Sequence, residues 1–407
     1  MSFLAGLRKK KIYILMHKDI PVLEAVYDRE TSRFTEIREI LHYEHVPYSA
    51  RKENEEISLK RLNHWFRWRG IPGYRVGLNT LLGRLGVKDP EELLNEYYAL
   101  SVSDHYWLVE SEEKKDLSYE DVSFFRHSFD QNGFGRAMFS LGRAEIQESA
   151  KKTPNNVLAG YQKKSWFRQN GDLYLYKGGT FPYQLEPVHE KLAAEIGRRL
   201  GMDFVDYNTT VYENQVVSVC RNMLDENSEL ITADEVLSLK KPVKDQFDYY
   251  SYIDILKEKG IADPEKLMDD MLVLDFLMMN TDRHNQNLGV IIDPDTMEWK
   301  KIAPIFDTGT GLACLRKNEE VKQWPEIYNY RLFNSNKILD NIVCYLIDDI
   351  GRYDLSVLDE SLLDFYREAM MKHRAVSGIQ QERIDSQTEL LAKRIREFKR
   401  LQQKACR

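Results

Sequence analysis

The segment NTDRHNQNLGVII, residues 280–292, is the most informative stretch of the chain, and a DPDT turn and a second apolar run ending in FDTG follow it. The apolar residues on either side of the turn predict two strands, 288–292 and 300–306. A hairpin returns its end to the neighbourhood of its start. We therefore expect Asn287, where the first strand begins, to lie close to Asp307, where the second strand ends.

The residue types at these positions indicate phosphoryl-transfer chemistry. The amide oxygen of Asn287 and the carboxylate of Asp307 are hard oxygen ligands that suit Mg²⁺, which keeps waters and phosphate oxygens as its other ligands. Asp282, upstream on the same loop, can orient a substrate hydroxyl and accept its proton. Gly309 is expected to allow a tight turn that aims Asp307 inward.

Each of these residues also has a purely structural interpretation. Asp307 alone suits a helix cap, and Asn287 alone suits a turn. His284 fits a histidine that holds the loop by hydrogen bonding better than it fits a general base. Arg283 can simply pair with a carboxylate. The joint pattern of D-R-H-x-x-N and a later D-x-G favours the chemical interpretation.

A candidate phosphate-binding cation lies upstream. Lys177 ends a predicted strand and precedes two glycines, where its ammonium can contact the α- and β-phosphates of a nucleotide. The next predicted helix offers Glu190, or less plausibly Glu186 or Glu195, to pair with this lysine. An ordinary surface lysine is the alternative.

A loop before that strand is a candidate phosphate cover. It contains Gly160, Gln162, Lys163 and Lys164. The loop is not a Walker A sequence, because GxxxxGK[ST] occurs nowhere in the chain.

Bulk composition narrows the class of protein. The 407 residues are too many for one ordinary core, and 43% hydrophobic with 30% charged residues is typical of a globular protein. A net charge of -7 argues against a dedicated nucleic-acid coat protein. No CxxC and no metal-ligand spacing occurs, which predicts a reducing cytoplasm, and the four cysteines are Cys220, Cys314, Cys344 and Cys406. No apolar run reaches membrane-spanning length, and no secretory leader is evident.

Local patterns predict several elements. Helices are expected at 58–68 and 186–200, and another begins at Pro264 with Asp263 as its cap. Two β-rich runs, 207–212 and 216–220, predict a hairpin.

These elements group into three predicted ranges. They are a small α+β domain over 1–130, a β-rich nucleotide-binding lobe over 150–237 and a helical catalytic lobe over 238–407.

Taken in order, these motifs resemble the HipA-like kinases, bacterial serine/threonine kinases. The resemblance covers about residues 150–400 and implies a bilobal α+β kinase-like fold and the use of ATP and Mg²⁺. It implies a catalytic Asp282, with Arg283 and His284 beside it, and metal ligands Asn287 and Asp307. Its phosphate lysine corresponds to Lys177, and its glycine-containing loop to the Gly160 region.

The chain departs from the family in three places. Arg283 and the Asp-Thr-Gly ending look more like phosphatidylinositol kinases. Well-known members carry an autophosphorylated serine where this chain has Asn156 and Val157, with Ser165 as a substitute candidate. Residues 1–130 match the family's N-terminal domain poorly.

Two rival functions stay open at this point. A lipid or small-molecule kinase would have the same transfer site, and the basic tail 393–407 is the feature that favours an anionic surface, although a packed helix with a solvated face explains it better. A nucleic-acid regulator or toxin–antitoxin component is the other rival, with an antitoxin or DNA-binding protein as partner. Its support is His64–Arg69, which interleaves aromatic and cationic residues. A helix that packs Trp65 and Trp68 inward with Arg67 in water explains that segment better, so direct nucleic-acid binding is not expected.

Overall fold

The computed structural model describes residues 10–144, 146–240, 247–322, 330, 332–334, 339–347 and 349–405. Its strands are β1 (Lys10–His17), β2 (Ile20–Asp28), β3 (Arg33–Ile40), β4 (Tyr106–Glu110), β5 (Lys164–Gln169), β6 (Asp172–Gly178), β7 (Tyr207–Tyr212), β8 (Gln215–Arg221), β9 (Glu229–Thr232), β10 (Gly289–Ile292) and β11 (Trp299–Ile302). Its α-helices are α1 (Leu59–Arg69), α2 (Leu78–Leu85), α3 (Pro90–Leu94), α4 (Tyr119–Val122), α5 (Gln131–Phe139), α6 (Glu186–Leu200), α7 (Ala233–Leu237), α8 (Asp248–Glu258), α9 (Pro264–Met278), α10 (Asn318–Lys322), α11 (Leu339–Leu346), α12 (Glu360–Lys372), α13 (Arg374–Ser377) and α14 (Gln381–Ala405).

The chain divides into two compact units whose segments alternate along the sequence. The first unit comprises Met1–Leu175, Leu224–Lys241 and Val290–Lys300, and the second comprises Tyr176–Met223, Pro242–Gly289 and Lys301–Arg407. The three predicted ranges are continuous, whereas these units are assembled from interleaved segments, because distant pieces of the chain pack together.

The first unit is built around an antiparallel sheet with strand order β3-β2-β1-β4. Successive side chains of a strand point to opposite faces. Accordingly Leu15 packs in one hydrophobic cluster with Phe66 of α1, while its neighbour Met16 packs in another with Trp107 of β4. Both faces of the sheet are therefore covered. A second sheet in this unit has the order β11-β10-β9.

A buried histidine pair links the two sheets of the first unit. The Nδ1 atoms of His17 and His45 lie 2.8 Å apart in a hydrogen bond, and His17 Nε2 lies 2.9 Å from the carboxylate of Glu229 at the start of β9. The His105 backbone N–H also donates to Glu229. Burial lowers the pKa of His45 to about 4. The strand that follows β8 is thus tied to the N-terminal sheet through hydrogen-bonded imidazoles.

Helix α1 confirms the helix predicted from Ser58. The Ser58 side chain accepts a hydrogen bond from the Arg61 backbone N–H, which is an N-cap. Trp65 is buried as expected, but the prediction for Trp68 is wrong, because it is 42% exposed at the edge of the buried face. Arg67 is a surface residue paired with Glu91.

The second unit confirms the predicted hairpin and the helix 186–200. Strands β7 and β8 pair in antiparallel register from Tyr207↔Cys220 to Tyr212↔Gln215. Helix α6 ends at Gly201, which adopts the left-handed conformation of a helix C-terminus. Helix α9 begins with Pro264 as predicted, but the Asp263 side chain makes no capping hydrogen bond. The buried apolar residues of α9 form core.

The final helix, α14, confirms the packed-helix interpretation of the basic tail. Its residues Ile384, Leu391, Ile395 and Phe398 are buried along one face. Its exposed face includes Lys399, Arg400 and Lys404. None of the helices within the described ranges is both long enough and apolar enough to cross a bilayer.

Candidate active site

The β10–β11 hairpin ends where the following residues begin to pair with residues 203–205. Strand β11 stops at Ile302, four residues earlier than predicted, although β10 and β11 are neighbours as expected. Beyond it, the Ile305 N–H donates to the Asp203 carbonyl, and the Val205 N–H donates to the Ile305 carbonyl. The residues before Asp307 therefore pair with 203–205 rather than with β10.

Arg283 holds the two ends of this hairpin together. One of its terminal nitrogens, Nη1, donates to the carbonyl of Asn287 at 2.8 Å and to the carbonyl of Phe306 at 2.6 Å. The backbones at Asn287 and Asp307 are thus brought to one place, as the hairpin argument predicts. The buried guanidinium of Arg283, and not strand pairing alone, brings the two backbone segments together.

Arg283 lies inside the protein and is paired with a carboxylate. The side chain is fully buried and forms a two-point ion pair with Asp275, with both N···O distances 2.9 Å. Burial lowers the pKa of Arg283, but the Asp275 carboxylate outweighs it and raises the pKa above its usual value. These contacts match the structural interpretation of Arg283 as the partner of a carboxylate, and its catalytic assignment stays a prediction.

Asp275, near the end of α9, is an anchor that sequence reasoning missed. Besides Arg283, its carboxylate accepts hydrogen bonds from Asn280 Nδ2 at 2.9 Å and from Tyr330 Oη at 2.5 Å. A single acid inside the apolar run 271–279 was the available signal, because a buried carboxylate needs partners.

The loop between α9 and β10 is folded on itself around Asp282. The Asp282 N–H donates to Asn280 Oδ1, and the Asn287 amide nitrogen lies 3.4 Å from the Asp282 carbonyl. The Asn287 N–H donates to the His284 carbonyl, and His284 Nδ1 accepts from the Gln286 N–H. These contacts match the loop-holding interpretation of His284, whose catalytic assignment stays a prediction, and Asp282 is partly exposed.

Lys177 lies where it was expected to meet a carboxylate. It is buried at the end of β6, and its ammonium donates to Glu190 Oε1 on α6 and, at 2.5 Å, to Asp307 Oδ1. Ser218 of β8 donates to the other oxygen of Glu190. Burial lowers the pKa of Lys177, but Asp307 and Glu190 outweigh it and hold the pKa well above its usual value. A permanent cation thus adjoins the carboxylate expected to bind metal.

The turn at Asp307 differs from the prediction in one respect. The residue with the unusual backbone conformation is Asp307 and not Gly309. Asp307 itself has a left-handed φ of 57°, and its side chain is 32% exposed. Gly309 is not in that region. A Cβ at Gly309 would lie 2.9 Å from the Glu186 carbonyl oxygen and 3.1 Å from Glu190 Cγ. Glycine is needed there for the close approach of the loop to α6.

The candidate phosphate cover belongs to the first unit. Gly160 has a φ of 106°, and its carbonyl accepts a hydrogen bond from Arg75. Lys164 is buried with its ammonium against Gly160, and Lys163 packs by Gly77. Gln162 is half-buried. The assignment of these residues to nucleotide binding stays a prediction.

The substitute modification site is corrected by its burial. Ser165 lies in β5 with no exposed surface, so its hydroxyl is not presented to a phosphate donor.

The binding of Mg²⁺ at Asn287 and Asp307 stays a prediction, which rests on the chemistry of an amide oxygen and a carboxylate. Within the described ranges, no three His, Cys, Asp or Glu side chains cluster to hold a metal ion. One amide oxygen and one carboxylate are the smaller set that Mg²⁺ uses together with waters and phosphate oxygens.

Comparison with known proteins identifies relatives of this chain. No protein-family model matches it. The serine/threonine-protein kinase CtkA of Helicobacter pylori is 28% identical over 160 residues, which are 36% of this chain and 48% of CtkA. The match thus spans about half the length of that relative.

Two solved structures are similar to this chain. HipA from the toxin–antitoxin system of Shewanella oneidensis MR-1, solved with HipB and operator DNA, has a TM-score of 0.52 at 12% identity, over 96% of this chain and 99% of that chain. The crystal structure of the H. pylori proinflammatory kinase CtkA has a TM-score of 0.46 at 18% identity, over 60% of this chain and 94% of that chain.

The HipA comparison confirms the fold class. A bilobal α+β fold of that type was expected for residues 150–400, and the shared fold covers nearly the whole chain. It therefore extends into residues 1–130, where the sequence shows no such likeness.

Proposed function

Because the chain is related to the HipA-like kinases, we propose that it is an ATP- and Mg²⁺-dependent serine/threonine protein kinase that transfers the γ-phosphate to a hydroxyl. The observation that carries the proposal is the buried contact of Lys177 with both Glu190 and Asp307. A cation held between a helix carboxylate and a partly exposed carboxylate suits the binding of nucleotide phosphates and their metal.

Asn287 and Asp307 are the proposed metal ligands. Mg²⁺ would supply neutralisation of the charge on the phosphate oxygens. The chain contributes a preset distance between the two ligands, because Arg283 fastens the backbone at both. Lys177 would bind phosphate oxygens from the other side of Asp307.

Asp282 is the proposed acceptor of the substrate hydroxyl proton. It lies on the loop that Asn280 and Asn287 brace, with its side chain partly exposed. Positioning and charge stabilisation then provide most of the rate, because phosphoryl transfer asks for little covalent chemistry from the protein.

Incubation with labelled ATP and Mg²⁺, with and without a cell extract, tests the proposal. We expect the parent protein to label itself or a protein of the extract, with phosphoserine or phosphothreonine in the product. Asp282→Ala should bind Mg·ATP as the parent does and transfer no label. Full transfer by this variant would remove the assignment, and labelled lipid rather than protein would support the lipid-kinase rival.

A small DNA-binding protein is the proposed partner. The comparison protein HipA was solved with HipB and operator DNA. In this chain the cations of the aromatic segment are engaged, Arg67 with Glu91 and Arg69 with Asp104, so contact with DNA is expected through the partner. Purification from the native host with and without salt, followed by operator-type DNA binding of each fraction, tests this. DNA binding by the purified chain alone would contradict it.

The proposed setting is the reducing cytoplasm. Among the described residues, Cys220, Cys314 and Cys344 are not joined in disulfides, which suits a reducing compartment, and an ATP-dependent kinase needs a supply of nucleotide.

A further inference from the structure

A buried chain of polar side chains leads from the last helix to the loop that carries Asp307. His189 precedes Glu190 on α6, and its Nδ1 lies 3.2 Å from the Gly309 carbonyl oxygen. Its Nε2 lies 2.7 Å from the hydroxyl of Tyr366 on α12. That hydroxyl lies 3.0 Å from the side-chain amide of Gln387 on α14. The His189, Tyr366 and Gln387 side chains are fully buried.

The imidazole of His189 is neutral. Burial lowers its pKa to about 3, and the nearby Arg383 guanidinium acts in the same direction. A neutral imidazole has one N–H. The Gly309 carbonyl can only accept, so the proton is on Nδ1, and Nε2 is an acceptor.

Proton counting then fixes the direction of the remaining bonds. Tyr366 must donate its single hydroxyl proton to His189 Nε2, so it cannot also donate to Gln387. The Gln387 amide must therefore turn its NH₂ group toward the Tyr366 oxygen. This orientation also gives a partner to a nitrogen that, with the opposite orientation, is buried with none among the described residues. The chain runs in one direction from Gln387 through Tyr366 and His189 to Gly309.

We infer that His189 is a positioning residue for Asp307, and that Tyr366 and Gln387 hold it in the tautomer this role requires. The inference rests on the proposed function, since it concerns the metal-binding carboxylate of that site. Gly309 is two residues from Asp307, and the Asp307 backbone is in the left-handed region. A donor on the Gly309 carbonyl restrains the turn from outside the loop.

The arrangement gives α6 two tasks on consecutive residues. Glu190 holds the Lys177 ammonium, and His189 holds the loop of Asp307. Displacement of α6 would therefore disturb the phosphate lysine and the metal carboxylate together. The C-terminal helices α12 and α14 are connected to the candidate site only indirectly. Tyr366 and Gln387 contact it through the His189 imidazole.

Three variants and a control separate positioning from simple core filling. His189→Asn places an amide N–H close to the position of Nδ1 and keeps the donor, whereas His189→Leu removes it. Tyr366→Phe removes the hydroxyl proton that makes Nε2 an acceptor. Tyr252→Phe is the matched control, because the Tyr252 hydroxyl on α8 is buried with no partner among the described residues.

Two readouts are measured on the full chain: calorimetric affinity for Mg²⁺ with a non-hydrolysable ATP analogue, and amide hydrogen exchange of residues 306–312 without nucleotide. We expect His189→Leu and Tyr366→Phe to weaken Mg²⁺-dependent nucleotide binding about tenfold, the equivalent of one buried hydrogen bond, and to speed exchange in 306–312. His189→Asn should restore most of both, and Tyr252→Phe should match the parent.

The outcomes distinguish this inference from the proposed function. If His189→Leu and Tyr366→Phe lower thermal stability but match the parent in exchange at 306–312 and in Mg²⁺ affinity, the imidazole only fills the core and the inference is wrong. If the parent binds no Mg·ATP, the proposed function fails, while the exchange rates still decide whether His189 restrains the loop. Should His189→Leu not fold, Tyr366→Phe carries both measurements.

Discussion

Asp307 combines two demands that few residue types meet. Its backbone is left-handed, a conformation in which aspartate and asparagine are tolerated better than other residues with a side chain. Its carboxylate must also face the Lys177 ammonium. Asparagine tolerates the left-handed backbone but carries no negative charge. A change to asparagine therefore tests the effect of the charge without disturbing the backbone.

Asp307→Asn should therefore fold normally and bind Mg²⁺ poorly. The amide keeps the turn but removes the negative charge, so we expect at least tenfold weaker Mg²⁺-dependent nucleotide binding, since a charged ligand exceeds a neutral one by more than about 1.4 kcal/mol. Calorimetry with and without Mg²⁺ measures it. Parent-like Mg²⁺ affinity in this variant would show that Asp307 is not a metal ligand.

Gly309→Ala tests the steric reason for the glycine. The new Cβ would meet the backbone oxygen of Glu186 at 2.9 Å, and backbone cannot move aside as a flexible side chain does. We expect a loss of about 1–3 kcal/mol in unfolding free energy, measured by urea denaturation. Gly142→Ala is the control, because a Cβ there meets nothing within 4 Å. Equal stability of the two variants would contradict the steric account.

For individual residues, the sequence predicts which side chains pair better than it predicts why a given residue type is required at its position. Lys177 and Glu190 were paired from a strand end and a helix period, both local patterns. The requirement for Gly309 was assigned to a turn, although it comes from packing against α6, which starts more than a hundred residues earlier. Long-range steric contacts leave no local signal.

The last turn of α9 and the loop after it form one element through the Asp275–Arg283 pair. Both side chains are fully buried, so removing one partner leaves an uncompensated charge. Asp275→Leu should lower the unfolding free energy by about 3–5 kcal/mol, measured by chemical denaturation.

The double variant Asp275→Leu with Arg283→Met is the control for the single Asp275→Leu variant. The double variant should recover part of the stability, because no buried charge is left alone, but it should not recover phosphotransfer, because the hairpin ends lose their shared donor. Recovery of both would mean that Arg283 has no positioning role.

The link between β1 and β9 predicts a pH dependence of stability in the first unit. The pKa of His45 is about 4 in the folded protein, below the ordinary 6.5. Between these values the unfolded chain binds a proton that the folded chain does not, so acidification through this window favours unfolding. Urea titrations at pH 7 and pH 5 should show the loss, and His45→Gln should reduce it. An identical pH response in the variant would assign the loss to other groups.

Elements were predicted well where their signals are local. The helices expected at 58–68 and 186–200 and the β7–β8 hairpin were predicted from patterns that lie within a few residues of the structure they specify. The end of β11 was predicted too late, because residues 203–205 capture the backbone after Ile302, and that competition is invisible in a single segment.

The interleaving of segments decides what a fragment can do. The clusters on both faces of the N-terminal sheet include Val157, Trp166 and Leu173, and His17 is tied to Glu229. A fragment of residues 1–130 lacks all of these. We expect it to lack cooperative thermal unfolding by circular dichroism, whereas the full chain has it. A cooperative transition in the fragment would show that the predicted N-terminal domain is autonomous.

The fold class could be predicted from the sequence, whereas the interleaved compact units could not be read from it. Kinase-like motifs appear in order from about residue 150 onward, so the resemblance to a known family predicts the fold class. The partition depends on contacts such as that of His17 with Glu229, which join positions 212 residues apart, and no composition shift marks them.

The first unit takes residues from as late in the chain as Lys300. During synthesis on a ribosome, the first unit cannot finish folding until residue 300, about three-quarters of the way through the 407 residues, has emerged. The carboxylate at position 307 emerges soon afterwards. Nascent chains interrupted before that point would lack strands of the first unit and would expose unfinished sheet edges to quality-control proteases.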